Sequence, residues 1–323
     1  MKRRHLLATA ILSALAAGPA VAAGYPDKAV TIVVPFPAGG ASDSTARFIA
    51  PKLQEILGQP VVIDNKPGAN GGLGAAQVAR TKPDGYTLLV GSIGVYAINP
   101  VLYPKLQYDP RKDFDLLTVA VRTPNVLVAN PGFPASNVQE LVAHLKKNPD
   151  KVTFATSGAG SSDHLTTALF WQKTGTTGLH VPYKGGAPAI TDLIGGHADV
   201  SFQNLGAVTN HIKAGKLKLL AITSDKRVPT FPDAPTLAEA GVPGVEVYSW
   251  QAVAAPKGLP ADVKGKLEAA LKTALESPDL KTRFNDLGFD VVGNTSAAFG
   301  EFLTAEIARW KGVVDTGKIT ADQ

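Results

Sequence analysis

Short apolar runs alternate along this chain with segments of helical periodicity, and that alternation leaves few folds open. "VTIVV" (30–34) reads as a strand and leads through the bare loop "PFPAGGASDS" (35–44) into a helix around 43–57. Phe48, Ile49, Leu53, Ile56 and Leu57 recur there at helical spacing. "PVVIDN" (60–65) is a second strand, "PGANGGLGAAQVARTKPDG" a Gly-rich loop, a helix and a turn, and "YTLLVGS" (86–92) a third strand. Strand–helix–strand–helix–strand marks a parallel sheet with covering helices. A second series starts at "NVLVAN" (125–130), with a helix around 136–147, "VTFATS" (152–157) and a second small loop opening a helix around 162–173. It continues through "GLHVPY", "ADVSFQN" and "LKLLAIT" with helices between; helices at 262–276 and 297–315 close the chain. A length of 323 residues is enough for two cores.

The loops invite alignment. Ala38-Gly39-Gly40-Ala41-Ser42-Asp43 matches Gly158-Ala159-Gly160-Ser161-Ser162-Asp163, and each stretch follows a strand and opens a helix. A helix start leaves N–H groups without partners and carries partial positive charge. Glycine and alanine let an anion approach that backbone, and Ser42, Ser161 and Ser162 add hydroxyl donors. Ser42 or Asp43, and Ser162 or Asp163, are also natural caps, and Asp43 is placed to pair with Arg47 one turn on. "NKPGANGGLG" (65–74) lacks the Gly-Lys-Ser/Thr ending of a phosphate loop and reads as a pocket-edge turn. Tyr183, in "YKGGAP", is an apolar wall or a hydroxyl donor; Trp250 is either a packing residue or a ligand wall.

Catalytic signals are thin. His5, His144, His164, His180, His197 and His211 show no helical metal-ligand spacing, and there is no cysteine. His164 stands beside two serines and an aspartate, but the Gly-x-Ser-x-Gly elbow is absent, so no hydrolytic site, metal or cofactor is expected. The start, "MKRRHLLATAILSALAAGPAVAAGYPDK", has a basic opening, an apolar stretch and a small-residue exit, the anatomy of a cleavable export signal over 1–23. The alternative is a membrane anchor, for which the run from Leu6 to Ala17 is short against about 20 residues. Cleavage would leave 29 basic against 27 acidic residues, so nucleic acid is not an expected partner.

The stretches "YPDKAVTIVVPFPAGGASDSTAR", "VVIDNKPGANGGLGAAQVARTKPDGYTLLVGS", "FATSGAGSSDHL", "VPYKGGAPAITDLIGGHADVSF" and "LAITSDKRVPTFPDAPTLAEAGVPG" follow in order along nearly the whole chain. Together they resemble the Bug family, the extracytoplasmic solute receptors of tripartite tricarboxylate transporters. The resemblance implies an α/β, two-lobed periplasmic binding protein of the type II, Venus-flytrap kind, each lobe a mostly parallel sheet with helices on both faces. Lobe 1 would comprise 24–120 plus 225–323 and lobe 2 residues 121–224, with the ligand cleft between them. A small carboxylate would be held largely by main-chain N–H groups and handed to membrane permease subunits by a periplasmic monomer. A sensor feeding a signalling kinase is the alternative. The expected cleft residues are Pro37, Ala38, Gly39, Ser42, Asp43 and Ser92 from lobe 1, with Ser157, Gly160, Ser161, Ser162, His164, Tyr183 and Gly185 from lobe 2.

Overall fold

A computed structural model describes residues 24–320; the expected export segment, 1–23, lies outside the described residues. The first series folds as β1 (Val30–Val34), α1 (Ala41–Leu57), β2 (Val61–Asn65), α2 (Gly72–Ala79) and β3 (Thr87–Ser92), followed by a π turn at Gly94–Ile98 and α3 (Asn99–Leu102). The long strand β4 (Phe114–Ala129) leads to α4 (Val138–Lys147), β5 (Thr153–Thr156), α5 (Ser162–Thr174), β6 (Leu179–Pro182), α6 (Gly186–Ile194), β7 (Val200–Asn204), α7 (Leu205–Lys213) and β8 (Lys218–Ile222). The chain then returns through β9 (Tyr248–Pro256), α8 (Ala261–Glu276), α9 (Pro278–Asp286), β10 (Asp290–Val291) and α10 (Ser296–Gly317).

Two sheets share one strand. β1 pairs in parallel with β2 and β3, β3 pairs antiparallel with β9, and β9 pairs with β4 from Phe114 to Pro124. From Asn125 to Ala129 the same strand pairs antiparallel with β7, and β5 pairs in parallel with β6 and β7. Among the strands described, parallel ladders are therefore confined to β2–β1–β3 and β7–β5–β6, and the crossing strands make both sheets mixed. β4 changes sheet between Pro124 and Asn125, a few residues past the boundary expected at 120/121. The return crossing is later than expected as well. Val228 and Phe231 pack on one face of the second sheet, and Leu237, Val242 and Val245 on the other. Thr223 and Val247 are joined by a backbone hydrogen bond, with Asn125 bonded to both, so the two crossings lie side by side. Residues 225–247 thus belong with the second sheet, because their apolar side chains are buried there.

Strand alternation explains why each sheet is covered on both faces. Val30, Ile32 and Val34 enter one core with Leu88 and Val90 and the apolar faces of α1 and α8; Val33 and Leu89 enter the opposite core with Trp250, Phe299 and Trp310. In the second sheet Leu127 and Ala129 face one core, Val126 and Val128 the other. Each fully buried side chain of this size contributes about 1.5–3 kcal/mol. Trp250 is a packing residue: it is buried, stacks on Tyr96 at 5.9 Å and donates its Nε1–H to Glu306 at 2.9 Å.

Candidate functional site

The lobes meet at the ends of β1, β3, β5 and β7, where the small loops lie. Tyr103 donates its hydroxyl to the Ala159 carbonyl across the gap at 3.0 Å. Gly160 has φ +78°, and a Cβ there would lie 2.8 Å from Leu102 of the other lobe. Gly185, with φ +128°, lies so close to Pro37 that a Cβ would sit 2.7 Å from its ring. Glycine at these two points lets the lobes come together over a cavity of about 50 Å3.

Two helix starts open on that cavity. α1 is capped by Gly40, which has no side chain to offer, and no hydrogen bond reaches the N–H of Ala41 or Ser42 among the described residues. The N–H of Ser162 on α5 is likewise unbonded. Ala41, Ser42 and Ser162 all line the cavity. The third residue of each helix reaches back to tie its loop down. In α1 it is Asp43, whose Oδ2 accepts from the Gly39 N–H at 2.9 Å and from Arg47 Nε at 2.8 Å, while Oδ1 accepts from Asn65 at 3.0 Å. In α5 it is His164, whose Nδ1 accepts from the Gly160 N–H at 3.1 Å; Ser161 caps the helix by accepting from the His164 N–H at 3.3 Å.

The aspartates differ. Burial would raise the Asp43 carboxyl, but Arg47, the Gly39 N–H and Asn65 together hold it below its ordinary value of 3.8. Asp163 has no cation. Its Oδ2 accepts from the Ser157 N–H at 2.6 Å, the Ser157 hydroxyl at 2.8 Å and Gln203 at 3.4 Å, and complete burial still raises its pKa above 3.8. Among the described residues, Asp163 is the one ionisable side chain on the cavity wall, and no lysine, arginine or histidine lines it.

Of the expected residues, Pro37, Ser42, Ser92, Ser157, Ser161 and Ser162 line the cavity. Ala38 and Gly39 are exposed at its mouth, where Gly39 faces Ala187, and Asp43 supports the loop from behind. Gly160 and Gly185 act at the closure points. His164 is not on the wall: it stacks on His180 at 4.2 Å on the far side of its helix, and burial, with His180 beside it, pushes its pKa down to about 3. Tyr183 is also elsewhere, donating to Asp192 at 2.7 Å; burial and that aspartate push its pKa up to about 12. Sequence reasoning missed Asn70, Gln203, Asn204, Ser249 and Gln251, all on the wall. The available signal was a polar residue inside an apolar strand: Gln203 in "VSFQN" and Gln251 in "YSWQAV", both buried. Asn70 sits in the loop read as a pocket-edge turn.

Residues 45–318 match the model of the tripartite tricarboxylate transporter family receptor. The chain belongs to this receptor family. BugT of Bordetella pertussis is 39% identical over 95% of this chain and 95% of its own. Two solved structures are similar throughout. An R. palustris protein with adipate is 37% identical, with a TM-score of 0.88 over 92% of this chain and 99% of its own. MatC from Rhodopseudomonas palustris, with bound malate, is 35% identical, with a TM-score of 0.86 over 90% of this chain and 100% of its own. The fold is that of the periplasmic binding protein BugD, which is 38% identical with a TM-score of 0.88 over 92% of this chain and 99% of its own, and among the described residues no helix is long and apolar enough to cross a membrane.

Proposed function

We infer that the protein is a periplasmic receptor that captures a small carboxylate between its lobes and delivers it to the membrane subunits of a tripartite tricarboxylate-type transporter. The observation that carries this reading is the pair of helix starts, with unbonded N–H groups at Ala41, Ser42 and Ser162, facing one cation-free cavity. Such groups hold a carboxylate by hydrogen bonds and the helix field, with no paired charge to desolvate. The adipate and malate bound by its relatives are of the same chemical class. Closure follows because only the closed form offers contacts from both lobes, so ligand shifts the population toward it. The membrane subunits then read the closed surface. No relay for turnover is assembled on the wall: among the described residues Asp163 is its sole ionisable side chain, and its Oδ2 is already shared by the Ser157 N–H, the Ser157 hydroxyl and Gln203. No observation on this chain favours the sensing alternative.

The test is thermal unfolding of the mature protein, stripped of ligand by unfolding and refolding, against small carboxylates and neutral controls. A true ligand at about 100 times its Kd adds about 2.7 kcal/mol. An upward shift confined to carboxylates supports the reading; shifts only with neutral or cationic solutes contradict it.

A further inference from the structure

One part of the cavity lies apart from the two helix starts. Gln251 lies on β9, between β3 and β4 in the centre of the first sheet, and its side chain is wholly buried on the cavity wall. Among the described residues, neither its Nε2 nor its Oε1 has a hydrogen-bond partner. A buried primary amide with both ends unpaired is costly, and the cost is removed only by a group that complements it. Asn70, also on the wall, has an unpartnered Oδ1. Its orientation is set by its neighbours. Asn99 donates Nδ2–H to the Asn70 carbonyl at 3.1 Å, so Asn99 Oδ1 must be the acceptor for Asn70 Nδ2 at 2.9 Å. Lobe 1 therefore offers the cavity two acceptor oxygens, Asn70 Oδ1 and Gln251 Oε1, and one amide donor, Gln251 Nε2. Turning the Gln251 amide over exchanges its two atoms without changing the set.

Resting on the carboxylate reading above, we propose that the preferred ligand is a monoanion with a carboxylate at one end and a primary carboxamide at the other. A carboxamide carries two N–H donors for Asn70 and Gln251 and one carbonyl acceptor for Gln251 Nε2. A second ionised carboxylate has acceptors only and would leave both oxygens unpaired. It would also enter a wall whose sole ionisable group is Asp163, with no cation to balance it. The helix starts of α1 and α5 take the carboxylate; Gln251 is the specificity-determining residue for the other end.

The experiment is calorimetric titration of the ligand-stripped mature protein with succinamate and succinate, glutaramate and glutarate, and adipamate and adipate. At the best chain length the amic acid binds more tightly than its diacid by about tenfold or more. Gln251→Met, which keeps the volume, removes that preference by weakening the amic acid and leaves the diacid within about threefold. The wild-type ratio decides on its own if the variant does not fold. A diacid equal to or tighter than its amic acid at every length, or an unchanged ratio in Gln251→Met, overturns the carboxamide assignment and leaves the carboxylate receptor standing. No binding by any of the six overturns the carboxylate reading and the assignment with it.

Discussion

The two loops that close on the cavity make the same turn by different means. In lobe 1 the helix cap is Gly40 and the tie is an aspartate neutralised by Arg47. In lobe 2 the cap is Ser161 and the tie is a neutral histidine, while the neighbouring Asp163 is buried without a cation. The lobe 1 start thus leaves its first N–H groups open to a ligand. The lobe 2 start uses part of its donor capacity on its own side chains. Lobe 1 leaves the N–H groups of Ala41 and Ser42 to a ligand and lobe 2 that of Ser162, and each difference can be pushed.

The largest effect should come from the closure point. Gly160→Val puts methyl groups into Leu102 of the opposite lobe and forces a β-branched residue to φ +78°. Calorimetry should show a loss of about 100-fold in carboxylate affinity, near 2.7 kcal/mol. Gly39 is also left-handed, at φ +89°, but a Cβ there meets Ala187 at an ordinary 3.5 Å, so Gly39→Ala carries backbone strain without a clash and should lose less than about tenfold. Equal losses would erase the distinction between the loops.

The aspartates come next. Asp43→Asn removes a part-buried charge-assisted bond to the half-exposed Arg47 and should cost about 1–2 kcal/mol in denaturant unfolding. Asp163→Asn keeps an acceptor for Ser157 and should change stability at pH 7 by less than about 1 kcal/mol.

Their pH dependences have opposite signs. Asp43 titrates below 3.8 in the folded state, so its stabilisation is complete at neutral pH and is lost as pH falls below that value. The gap between wild type and Asp43→Asn should be flat from pH 5 to 7 and close in acid. Asp163 titrates above 3.8, so the folded wild type loses stability as pH rises from 3.8 through the raised value. Asp163→Asn escapes that loss and should gain on wild type over the same window. Parallel slopes for both variants would contradict the assignment of their environments.

The smallest effect exchanges the caps. Gly40 is extended, with φ −84° and ψ 176°, and has room for a side chain. Gly40→Ser should stabilise the protein by a few tenths of a kcal/mol and weaken carboxylate binding, because the new hydroxyl takes an N–H the ligand would use. A variant that gains stability and keeps full affinity would show that those N–H groups are not the binding groups.

The strand–loop–helix units were legible because periodicity two and periodicity 3.6 alternate cleanly around Ile32, Leu53 and Leu89. The single strand from Phe114 to Ala129 was not. Bulges between Leu116 and Thr118 and between Val119 and Val121 break its alternation, and Thr123 and Pro124 interrupt its apolar run where it changes sheets. The loop alignment was one residue out: Ser161, not Gly160, is the counterpart of Gly40, so His164 rather than Asp163 matches Asp43. Two adjacent serines made that register unreadable from composition. The cavity serines were legible because small polar residues cluster before a helix. Gln251 was hidden because the other residues of the cavity wall come from distant chain segments, and one polar residue within a strand carries no address.

In the proposed site main-chain N–H groups, not a cation, hold the ligand carboxylate. Amide nitrogen–proton correlation spectra of the assigned, ligand-stripped protein, titrated with the tightest-binding carboxylate, test it most directly. The account predicts the largest downfield proton shifts at Ala41, Ser42 and Ser162. Unmoved amides at these three positions in a saturated complex would contradict it.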